Sequence, residues 1–215
     1  MCTSQNDDVY MTRHSARADR DHRNWKPLSG HSRDDTECSD GGNRATQQLA
    51  DAMQDIHIDH IVCSPFYRCL QTVAPMARRK EIQIKVEPGI CEVLTMFPPG
   101  FKDAEELASE FPIDLDYPPV MTRNELSYEA GDSVAARRAG GTASTLRKHL
   151  IGSILFCGHG ASCLGIGQAF GGSGYVGYSS VSHFTHDGSR WTIVKLGDVS
   201  HLSKDLQDQS LSSAY

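Results

Sequence analysis

Two histidines and three arginines are spaced so that they could act together on a phosphoryl group. In chain order they are Arg13, His14, Arg17, Arg68 and His159. A guanidinium fork matches phosphate oxygens in pairs and can stabilise charge that develops on them. A neutral imidazole among such cations is a competent nucleophile toward phosphorus, because the cations lower its pKa. These residue types predict phosphoryl binding and transfer, with a carboxyl group needed to protonate a leaving alcohol.

These residues lie beside predicted strands that would bring them to one edge of a sheet. Short apolar runs predict buried strands at 9–12, 61–63 and 154–157. Arg13 and His14 follow the first run, Ser64 follows the second, and His159 follows the third. Because the carboxyl ends of parallel strands lie along one edge, where ligands bind, we expect a shared site there.

Helices alternate with strands along the remainder of the chain. Periodicity predicts helices at 44–55, 104–111, 127–150 and 163–170, a strand at 82–86, and a hairpin of 181–184 with 191–196. A further helix is expected to begin with Ser64 as N-cap and Pro65 at its first position. Residues 17–43 are predicted to form a long loop. The alternation predicts an α/β fold, with three α/β/α layers around a mostly parallel sheet.

The composition is typical of a soluble globular protein, and we expect residues 1–215 to form a single domain. The formal net charge of -6 argues against a general nucleic-acid binder. Because no apolar run suits a membrane helix and the first residues are unlike a signal peptide, we expect a cytoplasmic protein. The seven cysteines and ten histidines show no metal-ligand spacing, which predicts reduced thiols and no metal site. Residues 1–8 and about 203–215 are expected to be frayed termini.

Three motifs resemble those of the histidine phosphatase superfamily, also called phosphoglycerate-mutase-like. The run Arg13-His14-Ser15 resembles the Arg-His-Gly signature of the family. Residues 63–72 resemble its second motif, and residues 157–160 resemble the motif of its late histidine. The predicted terminal hairpin within 187–202 is also similar, so the resemblance spans nearly the whole chain and implies a phosphoglycerate-mutase-like fold.

Within that superfamily, one branch is most similar to this chain. It contains the ubiquitin-associated, SH3-containing tyrosine phosphatases and the ecdysteroid-phosphate phosphatases. This branch has an Arg three residues after the catalytic His, then an Asp and a Trp, at the places of Arg17, Asp19 and Trp25. Segments 86–92 and 113–120 also resemble it, and these features are more specific than the superfamily motifs.

The resemblance implies a phosphoric monoester hydrolase that acts through a phosphohistidine on His14. The implied phosphate-binding residues are Arg13, Arg17, Arg68 and His159. Glu92 would be the general acid and then the base that activates water. With His14, His159, Arg13 and Arg68, it completes the expected catalytic set. The family also implies no cofactor or metal, a phosphoprotein or small phosphate ester as substrate, and a homodimer, with neither nucleic acid nor membrane as a partner.

Two departures from the family leave other functions open. Ser15 stands where the family has Gly, and Ala16 stands where the branch usually has Glu. A catalytically weak pseudophosphatase that binds a phosphate ligand or a protein is therefore an alternative. A phosphoglycerate mutase is a third hypothesis, which the residues around Glu92 disfavour. We interpret the glycine-rich run 165–174 as a flexible loop and His186-Asp187 as part of a hairpin turn.

Overall fold

The fold is built on one six-stranded sheet. The computed structural model describes residues 8–214. The strands are β1 Val9–Arg13, β2 His60–Cys63, β3 Ile84–Val86, β4 Ile154–Gly158, β5 Val181–His186 and β6 Trp191–Asp198. Their order across the sheet is β3-β2-β4-β1-β5-β6. The first four strands are parallel, β5 is antiparallel to β1, and β6 is antiparallel to β5, which confirms the predicted mostly parallel sheet.

Helices connect and cover these strands. Over the described residues the α-helices are α1 Ala18–Asp21, α2 Asp40–Ala52, α3 Tyr67–Lys80, α4 Ala104–Leu107, α5 Asp132–His149, α6 Gly160–Ala169 and α7 Lys204–Ser212. Two 3-10 helices span Pro88–Ile90 and Arg123–Glu125. β3, α4 and α5 are shorter than predicted, and α2 begins earlier. No helix in residues 8–214 is both long and apolar enough to cross a membrane.

The sheet separates two hydrophobic cores, because successive strand residues point to opposite faces. Leu155 faces the core formed with α2 and α3, where it joins Leu49 and Leu70. The next residue, Phe156, faces the core formed with α5 and α6, where it joins Ile166. Fully burying one such side chain stabilises the fold by about 1.5–3 kcal/mol. These two cores confirm the three-layer α/β/α arrangement.

Helices α5 and α6 approach each other closely at their glycines. A Cβ atom on Gly165 would overlap the carbonyl group of Ala136 on α5, and one on Gly140 would crowd the carbonyl oxygen of Gly165. Residues 165–169 belong to α6, so the predicted flexible loop is wrong for that part of the glycine-rich run. The glycines there allow two helix backbones to pack together.

The C-terminal segment is helical, so the expected fraying after residue 203 is wrong. In α7, Leu206 and Ser210 are buried. Leu206 joins Leu202 and Ala45 of α2 in a small hydrophobic cluster. The buried positions 202, 206 and 210 are four residues apart in an otherwise polar sequence. One narrow apolar face therefore holds this helix on the domain.

The segment 17–43, predicted to be a long loop, contains more structure than expected. It includes α1, and a bridge between Arg17 and Cys38 ties its two ends together. The side chain of Ser39 caps α2 by accepting a hydrogen bond from the N–H of Gly42 at 3.1 Å. This segment therefore returns to the carboxyl edge of the sheet beside β1.

Candidate active site

The two histidines meet at the carboxyl ends of neighbouring strands. Arg13 at the end of β1 lies opposite Gly158 at the end of β4. The N–H of His14 donates to the carbonyl oxygen of Gly158 at 2.9 Å, and His159 follows as the N-cap residue of α6. The ring centroids are 5.1 Å apart, and both side chains are buried. The structure brings these residues together, as their positions after the strands predicted.

His14 is held with one ring nitrogen available for chemistry. Its Nδ1 lies 2.8 Å from the carbonyl oxygen of Ser15. Because a carbonyl can only accept, Nδ1 carries the proton and Nε2 keeps its lone pair. Burial lowers the pKa of His14 well below its usual value, and the charges of Arg68, His159 and Arg13 lower it further. The imidazole is therefore neutral at neutral pH and is able to act as a nucleophile.

Arg68 links His159 to Glu92. Its Nη2 lies 3.1 Å from Nδ1 of His159 and 3.2 Å from Oε2 of Glu92. On the other side of the His159 ring, Nε2 lies 2.8 Å from the hydroxyl of Ser64. Nδ1 of His159 is also 3.3 Å from Oε2 of Glu92. Nδ1 can therefore accept a hydrogen bond from the Arg68 guanidinium or donate one to the Glu92 carboxylate, but it cannot do both.

Ser64 has a different role from the predicted one. Helix α3 begins at Tyr67 with Phe66 at the cap position, so the prediction of Ser64 as N-cap and Pro65 as first helical residue is wrong. The Ser64 hydroxyl instead bonds to the ring of His159. Its position directly after a buried strand was the signal that could have identified it as a site residue.

Glu92 enters the site from the segment that follows the Pro88–Ile90 helix. Its side chain is about a quarter exposed. Burial raises the pKa of Glu92, but the charges and hydrogen bonds of His159 and the charge of Arg68 outweigh it, so the pKa lies well below the usual value. The carboxyl group is therefore ionised at neutral pH until another anion competes for these cationic partners.

Arg13 and Arg17 lie beside His14 and also bond to protein groups. One bond from Arg13 runs from Nη1 to the carbonyl oxygen of Ser213 at 2.8 Å. Arg17 forms two bonds to the carboxylate of Asp19, each 2.8 Å long. Within residues 8–214, Nε of Arg13 and Nε of Arg68 are buried donors without a hydrogen-bond partner. The two guanidinium groups place positive charge beside the buried ring of His14, which favours an anion there.

Tyr178 is a site residue that sequence reasoning missed. Its ring centroid lies 5.2 Å from that of His14, and the guanidinium carbon of Arg13 lies 4.5 Å above the same ring. Tyr178 precedes β5, which is antiparallel to β1 and so begins at the edge where β1 ends. The start of an antiparallel strand next to β1 was the available signal.

Ser15 fits its position without disturbing the site. It is fully buried, and its hydroxyl lies 2.6 Å from that of Ser179. Its N–H donates to the hydroxyl of Thr72 at 2.9 Å. Its backbone φ is not positive, so this position does not require glycine. The departure from the signature therefore leaves the adjacent His14 in place.

Two adjoining cavities lie at the candidate active site, and one of them opens over His14. One, of about 450 Å³, is lined by His14, Tyr175 and Tyr178 among others. The other, of about 520 Å³, is lined by Phe66, Arg68 and Met96 among others. Both are bordered by Arg17, Arg20 and Glu92. This mixture of cationic and apolar walls suits an anion attached to an apolar or aromatic group.

The same residues have the spacing of a metal site. His14, Glu92 and His159 each offer a ligand atom, and these atoms lie within 4.8 Å of one another. Arg13 and Arg68 add positive charge beside them, as their lowering of the His14 pKa shows. Because like charges repel, this donor set fits an anionic phosphoryl group better than a divalent cation.

The sequence of the chain matches a described family over most of its length. Residues 9–199 match the model of the histidine phosphatase superfamily, branch 1. The chain belongs to the histidine phosphatase superfamily. The resemblance carried by residues 12–15, 63–72 and 157–160 is thereby confirmed.

Several members of this superfamily are similar to the chain. An ecdysteroid-phosphate phosphatase of Drosophila melanogaster is 35% identical over 99 residues, which are 42% of this chain and 13% of the relative. The match therefore spans about an eighth of that relative. The crystal structure of an ecdysone phosphate phosphatase from Bombix mori, in complex with tungstate, has a TM-score of 0.73 at 19% identity and covers 91% of this chain and 95% of its own. Both names belong to the branch that the sequence resembles, and the structural match supports the fold.

A more distant structure shares the fold. Phosphoserine phosphatase from Entamoeba histolytica, in complex with 3-phosphoglyceric acid, has a TM-score of 0.63 at 14% identity. The match covers 91% of this chain and 99% of the other. At this identity the likeness supports the phosphoglycerate-mutase-like fold, while the chemistry must be argued from the site itself.

Proposed function

We propose that this protein hydrolyses phosphate monoesters without a metal, through a phosphohistidine on His14. The observation that carries the proposal is the state of this imidazole. It is buried and neutral, and the carbonyl oxygen of Ser15 orients Nδ1 so that Nε2 is free. Arg13 and Arg68 flank it and place positive charge beside it.

In the first proposed step, Nε2 of His14 attacks phosphorus as the ester P–O bond breaks. Glu92 gives a proton to the leaving oxygen, so an alcohol departs and the phosphoryl group remains on nitrogen. In the second step, Glu92 takes a proton from a water molecule while the oxygen of that water attacks phosphorus. The N–P bond then breaks, which releases inorganic phosphate and restores the neutral ring.

Substrate binding supplies the protonated Glu92 that the first step needs. In the free site the carboxylate is stabilised by His159 and Arg68. A bound phosphate group competes for the same two cationic partners and adds negative charge nearby, which raises the pKa of Glu92. A substrate that arrives as a monoanion can transfer its own proton to this carboxylate.

The cationic residues have distinct roles in this proposal. Arg68, Arg13 and Arg17 bind the phosphoryl oxygens, and Arg17 divides its hydrogen bonds between the substrate and Asp19. His159 donates to a phosphoryl oxygen through Nδ1, with its Nε2 side anchored on Ser64. Such preorganised donors stabilise the charge of the transition state in a buried site.

We further propose the substrate class and setting. The apolar and aromatic cavity walls support phosphotyrosine-like, steroid or other small phosphate esters, in keeping with the names of the ecdysteroid-phosphate relatives. Six buried free cysteines among residues 8–214 support a reducing compartment such as the cytoplasm. A single catalytic domain that forms a homodimer remains our expectation from the family, and light scattering would test the dimer.

The deciding experiment is hydrolysis of p-nitrophenyl phosphate in the presence of EDTA. We expect turnover by the wild type, none above background by His14→Ala, and a loss of about 10²–10⁴-fold in Glu92→Ala. His149→Ala, at the exposed end of α5, is the matched control and should retain full activity. A wild type without turnover would establish the pseudophosphatase alternative, and phosphate transfer to a phosphoglycerate would establish a mutase.

A further inference from the structure

A buried ion pair lies directly behind the segment that carries Glu92. Arg138 of α5 binds Glu129 through two hydrogen bonds, from Nε to Oε1 and from Nη2 to Oε2, each 2.8 Å long. The two side chains are only 9% and 5% exposed. Neither residue touches the phosphoryl pocket, so the site described above gives them no role.

Arg138 uses its remaining donors on the backbone around Glu92. Nη1 donates to the carbonyl oxygen of Gly89 at 3.0 Å, and Nη2 donates to that of Glu92 at 3.0 Å. Both terminal nitrogens also lie 3.4 Å from the carbonyl oxygen of Cys91. One guanidinium therefore holds three carbonyl groups, of which one lies in the 3-10 helix and two lie in the irregular segment that follows it.

Glu129 holds the other end of the same segment. Its Oε2 accepts from the N–H of Leu94 at 3.0 Å, and its own N–H donates to the carbonyl oxygen of Leu94 at 3.1 Å. The backbone of Glu92 is thus fixed before and after by two side chains that also bind each other. The Glu92 side chain contacts Arg68 and His159 through Oε2, and its Oε1 accepts from the N–H of Val93 at 3.0 Å.

We propose that Arg138 and Glu129 are positioning residues, which hold the Glu92 carboxyl group where it can protonate the leaving oxygen; this inference rests on the proposed function. The pair acts on the backbone and not on the substrate. Its effect is therefore confined to the proton transfers of Glu92. Binding of the phosphoryl group by Arg13, Arg68 and His159 does not depend on it.

This role has a distinctive kinetic signature. A nitrophenolate leaves readily without a proton, whereas an alkoxide such as that of phosphoserine needs one. Weakening the pair in Arg138→Lys should lower kcat/KM, which reports the steps up to departure of the leaving group, by about 10–100-fold for O-phosphoserine and by less than about 3-fold for p-nitrophenyl phosphate. The inhibition constant of inorganic phosphate should stay near the wild-type value, because phosphate binding is unchanged.

The test compares these substrates in Arg138→Lys, Glu129→Gln and the matched control Arg137→Lys. Arg137 is the exposed neighbour on the same helix, and its variant should keep the wild-type ratio of the two kcat/KM values. Glu129→Gln keeps an acceptor for the N–H of Leu94 while removing the ion pair. If Arg138→Lys shows no cooperative thermal unfolding, and so is not folded, the Glu129→Gln variant is used for the comparison in its place.

A double-mutant cycle separates positioning from general structural support. In a Glu92→Gln background, Arg138→Lys should reduce the remaining activity by less than about 2-fold, because the group it positions is already gone. Equal losses of kcat/KM on both substrates, or an undiminished loss in the Glu92→Gln background, would overturn the inference. A wild type inactive on both substrates would instead refute the proposed phosphatase activity.

Discussion

The carboxylate of Glu87 makes a quantitative prediction about the stability of the active-site segment. It is fully buried and accepts four hydrogen bonds. Oε1 accepts from the N–H groups of Gly89 at 2.8 Å and Met121 at 3.1 Å. Oε2 accepts from the hydroxyl of Tyr117 at 2.8 Å and the N–H of Val120 at 2.7 Å. Replacing this carboxylate by an amide in Glu87→Gln places an NH₂ group against at least one of these donors.

The expected cost follows from the better of the two amide orientations. With NH₂ in the place of Oε2, the Tyr117 hydroxyl can rotate to accept, and only the N–H of Val120 loses its partner. That orphaned donor costs about 1–3 kcal/mol, and the remaining bonds each lose about 1 kcal/mol when the acceptor is no longer charged. We expect Glu87→Gln to lower the free energy of unfolding by about 3–5 kcal/mol, a large share of the total for a domain.

Urea denaturation at pH 7, followed by circular dichroism, measures this loss. Glu105→Gln, on the exposed side of α4, is the matched control and should change the unfolding free energy by less than about 0.5 kcal/mol. A decrease of less than about 1 kcal/mol in Glu87→Gln would refute the reasoning. It would mean that the charge of this buried carboxylate contributes little to holding the segment before Glu92.

Three further predictions concern other parts of the fold. Burial lowers the pKa of His14, so the stability that depends on its neutral form is complete above about pH 6.5 and is lost as the pH falls below that value. The difference in unfolding free energy between wild type and His14→Ala should therefore change below about pH 6.5 and stay constant above it. Leu206→Ala should lower the free energy of unfolding in urea by about 2–5 kcal/mol, whereas the same change at the half-exposed Leu211 should lower it little. Equal effects of the two changes would mean that α7 is not docked on the domain. Gly165→Ala should lower the melting temperature because its Cβ overlaps α5, while Gly141→Ala, with open space around it, should raise it; the same sign for both would contradict the helix contact.

The sequence predicted those site residues that directly follow buried strands. His14 and His159 were found this way because apolar runs mark the strands, and parallel strands end at one edge of the sheet. Arg68 followed from its place shortly after β2. The same rule should have included Ser64, but a Ser-Pro pair is also a strong helix-cap signal. Only the tertiary contact with His159 decides between these two interpretations.

Other parts of the site could not be predicted from local patterns. The approach of Glu92 to Arg68 depends on a segment whose course is set by distant side chains, including Glu87 and Arg138. Glu92 was predicted as a site residue from the family resemblance and not from periodicity. Helix α7 was missed because only every fourth residue of its polar sequence is buried, which is too narrow an apolar face to recognise without its partner helix.

The direct pairing of β1 with β4 makes the distance between the two histidines a property of the sheet. Neighbouring strands lie about 4.8 Å apart, and the rings of His14 and His159 are 5.1 Å apart. The segment that supplies Glu92 begins after β3 and can change in length without altering that separation. For protein engineering, the molecule therefore divides into a fixed pair of reactive rings and exchangeable segments around them, and new ester specificities can be grafted onto the latter.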